Sequence, residues 1–330
     1  MKTVFVGQTG MRVSALAMGT MSFGGDADAK TSGALYAAAR DAGINHFDTA
    51  NIYNKGESER ILGQLAKSDR DQLVLGTKIY FAAGAGPNDR GSSRYHIRAA
   101  VEGCLRRLQT DRIDVLYLHR WDEETALDET LRAVEDLCRA GKVLYPAVSN
   151  FAAWQTAKAL GVQAQRQWSP LCAIQPMYNL VKRQAEVELL PMALAEGLAV
   201  FPYSPLGGGL LTGKYGTDAR PASGRIVDSK MYLTRYGQEA NFASAGAFTD
   251  FAAELGVHPV TLAIAWVRSH PAVTAPILGA RNVDQLAPAL AAAELELDEE
   301  TRAKISELSA TPAPATDRRE EQNADFLGAR

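Results

Sequence analysis

Asp114-Val115-Leu116-Tyr117-Leu118-His119-Arg120 is the stretch on which the fold is read. Four apolar residues run without alternation and stop on a histidine and an arginine. A strand with one face in water alternates polar and apolar residues. A parallel strand covered on both faces does not. Working outward, strands are expected at Ala15–Met18, Asn45–Phe47, Leu73–Thr77, Asp114–Leu118, Val143–Val148, Ala173–Ile174, Ala199–Pro202 and Thr274–Ile277. Helical patterns lie between them: Lys30–Asp41, Glu57–Lys67, Ser93–Leu108, Thr125–Ala140, Ala152–Gln165, Gln184–Glu196 and Val260–Arg268. Asp48, Lys78, His119, Asn150, Gln175 and Tyr203 follow six successive strands, in steps of 30, 41, 31, 25 and 28 residues. One βα unit takes about 30 residues, so the rhythm predicts an α/β fold, a (β/α)8 TIM barrel. An open doubly wound sheet is the runner-up. It usually carries a glycine fingerprint after its first strand, and Ala17-Met18-Gly19-Thr20 is followed by none.

The chain is expected to form one barrel domain over residues 1–330. A hairpin at about 3–14 flanks the turn Gly7-Gln8-Thr9-Gly10. Two long loops, 79–92 and about 206–247, are expected at the C-terminal rim, the second covering a cofactor. A polar tail occupies about 311–330.

Composition excludes several classes. With 35 basic and 38 acidic residues the net charge is −3, and nothing steers the protein to nucleic acid or an anionic membrane. Arg94, Arg98, Arg106, Arg107 and Arg112 read as one solvated helix face. Cys104, Cys138 and Cys172 are odd in number, far apart and without ligand spacing, so no metal site is expected and a reducing compartment fits. The longest apolar run, Val260 to Val267, is far short of the roughly 18 residues of a membrane span. A cytoplasmic protein follows, monomeric by default because a barrel buries its own core.

Four residues on one rim carry chemistry. Asp48, Lys78 and His119 end adjacent strands, and Tyr53 lies five residues after Asp48. A phenol is a poor acid at neutral pH, and a nearby ammonium lowers its pKa. Asp48 can hold Lys78, and His119 can donate a hydrogen bond to a carbonyl oxygen as charge develops on it. The group reads as a proton donor, Tyr53, with helpers. Met21, Phe23, Tyr53, Tyr80, Phe81 and Trp121 are expected to form an apolar wall for an aromatic or medium-sized aliphatic carbonyl.

The motifs extend further: Phe-Asp-Thr-Ala-x-x-Tyr at 47–53, Gly-Thr-Lys at 76–78, Leu-His-Arg at 118–120, Val-Ser-Asn at 148–150, Gln-Pro-x-Tyr-Asn at 175–179, Tyr-Ser-Pro-Leu at 203–206, Leu-Leu-Thr-Gly-Lys-Tyr at 210–215 and Gly-Ala-Arg-Asn at 279–282. With these the chain resembles the aldo-keto reductases over nearly its full length. The resemblance implies an NADPH-dependent reductase of aldehydes or ketones with Asp48, Tyr53, Lys78 and His119 as its catalytic tetrad. Gly19, Thr20, Met21 and Asp48 would border the nicotinamide. Ser149, Asn150 and Gln175 would bind the carboxamide, and Tyr203 would stack on the ring. Ser204, Leu206, Gly209 and Lys214 would strap the pyrophosphate. Gly279, Arg281 and Gln285 would hold the adenosine-phosphate end, where an arginine fork suits a 2′-phosphate.

Two stretches depart from the family's pattern. Pro288 and Ala289 stand where Glu-Asn is common, so adenine contacts are in question and a bend is expected. Tyr145-Pro146-Ala147 stands where Tyr-Ile-Gly is common, so an irregularity is expected near Ser149. Two other readings stay open. One is an NADPH-binding regulatory subunit with little turnover, as in members of the family associated with channels. The other is a lyase using a Lys78 Schiff base.

Overall fold

The computed structural model describes residues 1–82 and 84–322. The chain opens with β1 (Thr3–Phe5) antiparallel to β2 (Arg12–Ser14). Val6 and Val13 of this hairpin are fully buried with Ala17, Val74, Val115, Ala173, Ala199 and Ala275. Most of these residues open strands. The hairpin therefore stoppers the N-terminal end of the barrel and leaves the other end to ligands.

The barrel strands are β3 (Ala17–Gly19), β4 (His46–Asp48), β5 (Val74–Ile79), β6 (Ile113–Leu118), β7 (Val143–Ser149), β8 (Ala173–Gln175), β9 (Ala199–Val200) and β10 (Ile277–Leu278). All pair in parallel, in chain order, with β10 beside β3. The edges are joined where Thr274 N donates to Val200 O and Ile277 N to Pro202 O, both at 2.9 Å. These bonds close the sheet, and closure removes the exposed edges of an open one.

Around it run α1 (Ala29–Asp41), α2 (Glu57–Ala66), α3 (Arg94–Leu108), α4 (Leu127–Arg139), α5 (Ala153–Arg166), α6 (Leu189–Glu196), α7 (Arg225–Asp228), α8 (Lys230–Tyr236), α9 (Glu239–Glu254), α10 (Pro259–Arg268), α11 (Val283–Leu290) and α12 (Glu299–Glu307). Their starts are chemically marked. Asp28, Ser93, Asn282 and Asp298 each accept a backbone N–H of the first turn, and Pro259 opens α10. Leu35, Phe47, Leu62 and Ile264 pack in one shell between helices and sheet, and Ile97, Leu116, Leu131 and Trp266 in another. Full burial of each such side chain stabilises the fold by roughly 1.5–3 kcal/mol.

Strand register sets the site. Gly19, Asp48 and Gly76 lie level across β3, β4 and β5. Lys78 pairs with Tyr117, and Ser149 with Gln175.

Two expectations are corrected and the two proline sites are located. The stretch 206–247 is not a loop throughout, since it holds α7, α8 and the start of α9. In α9 the buried stripe Phe242, Ala245, Phe248 and Ala252 is hidden among alanines and glycine that give little polar contrast on the other faces. The expected helix 184–196 begins as a separate 3-10 turn, Gln184–Glu186, before α6. β7 runs unbroken through Pro146, whose carbonyl still accepts Cys172 N at 2.8 Å. The backbone leaves the extended region only at Asn150, with φ +56°. Finally, α11 includes Pro288 and runs on to Leu290. Residue 83 of the 79–92 loop and residues 323–330 of the tail lie outside the described residues.

Candidate active site at the C-terminal rim

β4 ends on Asp48 and β5 carries Lys78 one strand away, so their side chains meet. Lys78 Nζ donates to Asp48 Oδ1 and, at 2.7 Å, to Thr49 O. Gln175 Nε2 donates to Asp48 Oδ2 at 3.0 Å. Both charges are buried, Lys78 being 1% exposed. Burial works against the ammonium, but Asp48 and Tyr53 outweigh it and hold its pKa above the ordinary lysine value.

Tyr53 follows on a 3-10 turn, with Lys78 Nζ 5.0 Å from its ring centroid. Burial pushes the phenol pKa up, Lys78 pulls it down, and the net direction is upward. Desolvation wins over the ammonium here, contrary to the expectation from residue types alone. The protonated phenol is stabilised, which is the form an acid needs. His119, at the end of β6, stands edge-on to Tyr53 with ring centroids 6.3 Å apart. Burial first, and Lys78 second, lower its pKa to about 3. It is a neutral imidazole at physiological pH, and its N–H can donate to an oxygen.

Asp48, Tyr53 and His119 open onto a cavity of about 1210 Å³ lined by residues of the C-terminal rim. Common ligand pockets are roughly 300–1,000 Å³, so there is room for a large ligand and a second small one. Gly19, Met21, Asp48, Ser149, Asn150, Gln175, Tyr203, Ser204, Leu206, Gly209, Lys214, Gly279, Arg281 and Gln285 all line it, with Tyr53, Phe81, His119 and Trp121. Asn150 binds its neighbours on both sides. Its Nδ2 donates to His119 O at 2.9 Å, and its Oδ1 accepts from Tyr203 Oη at 2.7 Å. Ser149 Oγ donates to Gln175 O at 2.9 Å.

At the far end Lys214 is held below the ordinary lysine value, by burial and then by Arg281 and Arg225. No carboxylate pairs with Lys214 or Arg281 among the described residues. Lys214 and Arg281, with Arg225 nearby and 3.8 Å from Asp26, place more positive than negative charge here and fit an anionic ligand such as the phosphates of NADPH. A Cβ on Gly209 or Gly279 would meet nothing within 4 Å, which leaves both backbones open to a ligand. The donor set thus fits the dinucleotide.

Three expected contacts are corrected. Thr20 is fully buried and faces away, with its hydroxyl on Asp48 O and on Ser58 Oγ. Phe23 is fully buried in the shell with Leu16 and Phe47 and does not reach the cavity. Tyr80 lies outside it too, under the Arg120 guanidinium, 5.3 Å from ring centroid to carbon. Lys78 does not line the cavity either. Its Nζ is buried and bonded to Asp48 and Thr49, which favours a structural and electrostatic part over a Schiff base.

Sequence reasoning missed Asn54, Arg120, Arg225, Tyr232 and Arg235, all of which line the cavity. Asn54 and Arg120 adjoin residues already singled out. The other three lie on α7 and α8, where no helix was expected.

The Aldo/keto reductase family model matches residues 15–310. The chain is 40% identical to an uncharacterized oxidoreductase of Bacillus subtilis (strain 168), over 96% of this chain and 98% of the relative. It is 38% identical to a probable voltage-gated potassium channel subunit beta of Oryza sativa subsp. japonica, over 85% and 88%. It is 32% identical to the L-glyceraldehyde 3-phosphate reductase of Escherichia coli (strain K12), over 86% and 84%.

Proposed function

This chain belongs to the aldo/keto reductase family, and from that premise we propose that it is an NADPH-dependent reductase of aldehydes or ketones with Tyr53 as its proton donor. The single observation that carries the reading is the phenol of Tyr53 beside the buried Lys78–Asp48 pair, opening with His119 onto one cavity. NADPH would supply the hydride to the carbonyl carbon. Tyr53 gives its proton to the carbonyl oxygen. His119, neutral, donates a hydrogen bond that orients that oxygen and steadies its charge. Lys78 acts through Tyr53 as a positive neighbour, and Asp48 keeps Lys78 in place. Phe81, Trp121 and Met21 form the apolar wall, which suits an aromatic or medium-sized aliphatic carbonyl. Ser149, Asn150 and Gln175 would hold the carboxamide, Tyr203 the ring, and Lys214 and Arg281 the phosphates. We read residues 1–330 as one domain, a monomer of the cytoplasm. No helix among the described residues is long and apolar enough to cross a membrane.

Two substitutions test the proposal. Tyr53→Phe keeps the ring and removes the proton, so turnover should fall roughly 10²–10⁴-fold while NADPH binding persists. Unchanged turnover would sink Tyr53 as the donor. A charged hydrogen bond contributes about 1.5–3 kcal/mol. Arg281→Ala should therefore weaken NADPH roughly 10- to 100-fold and leave NADH alone. Equal loss of both nucleotides would remove Arg281 from the 2′-phosphate.

The relatives named as potassium channel subunits favour one second reading, a nucleotide-binding regulatory subunit. Tight NADPH binding with turnover near zero on every carbonyl tried would support that reading over the first.

A further inference from the structure

Tyr53 begins a turn that L-residues avoid. Asn54 has φ +47°, Lys55 φ +56° and Gly56 φ +86°. Two successive non-glycine residues in the left-handed region are unfavourable, Lys55 more than Asn54. Such strain persists only where the surroundings impose it.

The surroundings here belong to the loop after β3. Asn54 Nδ2 donates to Met21 O at 3.0 Å and to Phe23 O at 2.7 Å. The two segments also interlock. A Cβ on Gly25 would lie 2.6 Å from Asn54 Oδ1, and one on Gly24 would lie 2.6 Å from Glu57 Cγ. Phe23, fully buried, anchors the loop to the core. Met21 and Asn54 both line the cavity, on either side of the join. One amide group therefore fixes the turn that aims Tyr53 to the loop that carries Met21.

We propose that Asn54 is a positioning residue for the reduction, holding the Tyr53 turn against the Met21–Phe23 loop so that the phenol keeps its place over Lys78 and faces the reacting carbonyl. The inference rests on Tyr53 being the proton donor. A mere loop staple would add stability without altering the chemical step, so the two roles separate by experiment.

Asn54→Gly is the informative variant. Glycine accepts φ +47° without strain and removes both donors, so the relief offsets the lost bonds and the fold survives. Its Tm should stay within a few degrees of wild type, while kcat falls roughly 10- to 100-fold, the loss that a displacement of about 1 Å can cause. The isotope effect with deuterated NADPH should rise as the chemical step becomes limiting. In the apoprotein, the titration of Tyr53, followed by NMR with labelled tyrosine, should move from its wild-type position, because both the burial of the phenol and its distance from the ammonium change. Asn54→Asp keeps the shape but sets a carboxylate against two carbonyls, and should be slower still.

The decisive measurement is the double variant with Tyr53→Phe. If Asn54 acts through Tyr53, Asn54→Gly changes nothing further in that background. Fully additive losses, or an Asn54→Gly enzyme with wild-type kcat and an unmoved Tyr53 titration, would overturn the inference. A fully active Tyr53→Phe enzyme would instead remove the proposed function on which it stands.

Discussion

Lys78 and Asp48 form a pair that neither partner can leave alone. Both are shut from water, and removing one partner of a buried pair typically costs about 3–5 kcal/mol because the other charge is stranded. Lys78→Met should therefore lower the unfolding free energy in urea by about that amount; a loss below ~1 kcal/mol would mean that Asp48 takes up a proton or water instead. The phenol beside them sets the pH dependence. In the proposed reduction Tyr53 must hold its proton, and its pKa is raised above the ordinary value of 10.0. The protonated range thus extends upward. The rate of the reduction step should stay level through neutral pH and fall only on the alkaline side of 10; a decline centred near pH 8 would show a phenol acidified rather than desolvated. At this scale strand-end positions made the gathering of Asp48, Tyr53, Lys78 and His119 legible from residue order alone. Thr20, Phe23 and Tyr80 were misread because nearness to the rim in sequence does not say which way a side chain points, and Thr20 and Phe23 point into the core.

Helices α2 and α3 meet at a glycine. A Cβ on Gly63 would lie 2.5 Å from the backbone carbon and oxygen of Leu108. Backbone cannot swing aside as a side chain can, so Gly63→Ala should destabilise by about 1–3 kcal/mol. A neutral alanine, measured by thermal melting, would show that the helices separate freely. Behind this crossing, Glu59 is fully buried between Thr77 Oγ1 and Arg107 Nε, each at 2.6 Å. The crossing therefore supports the strand that carries Lys78. Elements with strong alternation of apolar and polar residues, such as α3 and α4, were readable to within one or two residues. α8 was not. It is seven residues long, lies between Ser229 and Gly237, and earns its place by putting Tyr232 and Arg235 on the cavity. Short helices depend on tertiary packing, so their local signal is weak.

Four histidines whose pKa is lowered, buried His46 and His96 and half-buried His119 and His270, give the whole molecule an acid-sensitive window. Burial is the main cause lowering His46 to about 4, His119 to about 3 and His270 to about 4. Below 6.5 the unfolded chain takes up protons that the fold refuses. Their contribution is thus complete above 6.5 and is lost as pH falls toward 4. For fully buried His46 the loss is up to ~1.4 kcal/mol per pH unit. The Tm should drop between pH 6.5 and 4.5. His46→Phe, which has no titrating group, should flatten that slope; an unchanged slope would show that other groups set it. By itself the sequence determined the barrel, its order of strands and the placing of Asp48, Lys78 and His119 at neighbouring strand ends, because burial on both faces and a βα rhythm are local patterns that the chain writes out in order. Tertiary structure alone decided the rest. The upward shift of Tyr53 depends on how far water is excluded. The crowding of Lys214, Arg225 and Arg281, and the bridge from Asn54 to Met21 and Phe23, join residues far apart in the chain. Desolvation and long-range contact are properties of the closed three-dimensional surface, and no window of sequence contains them.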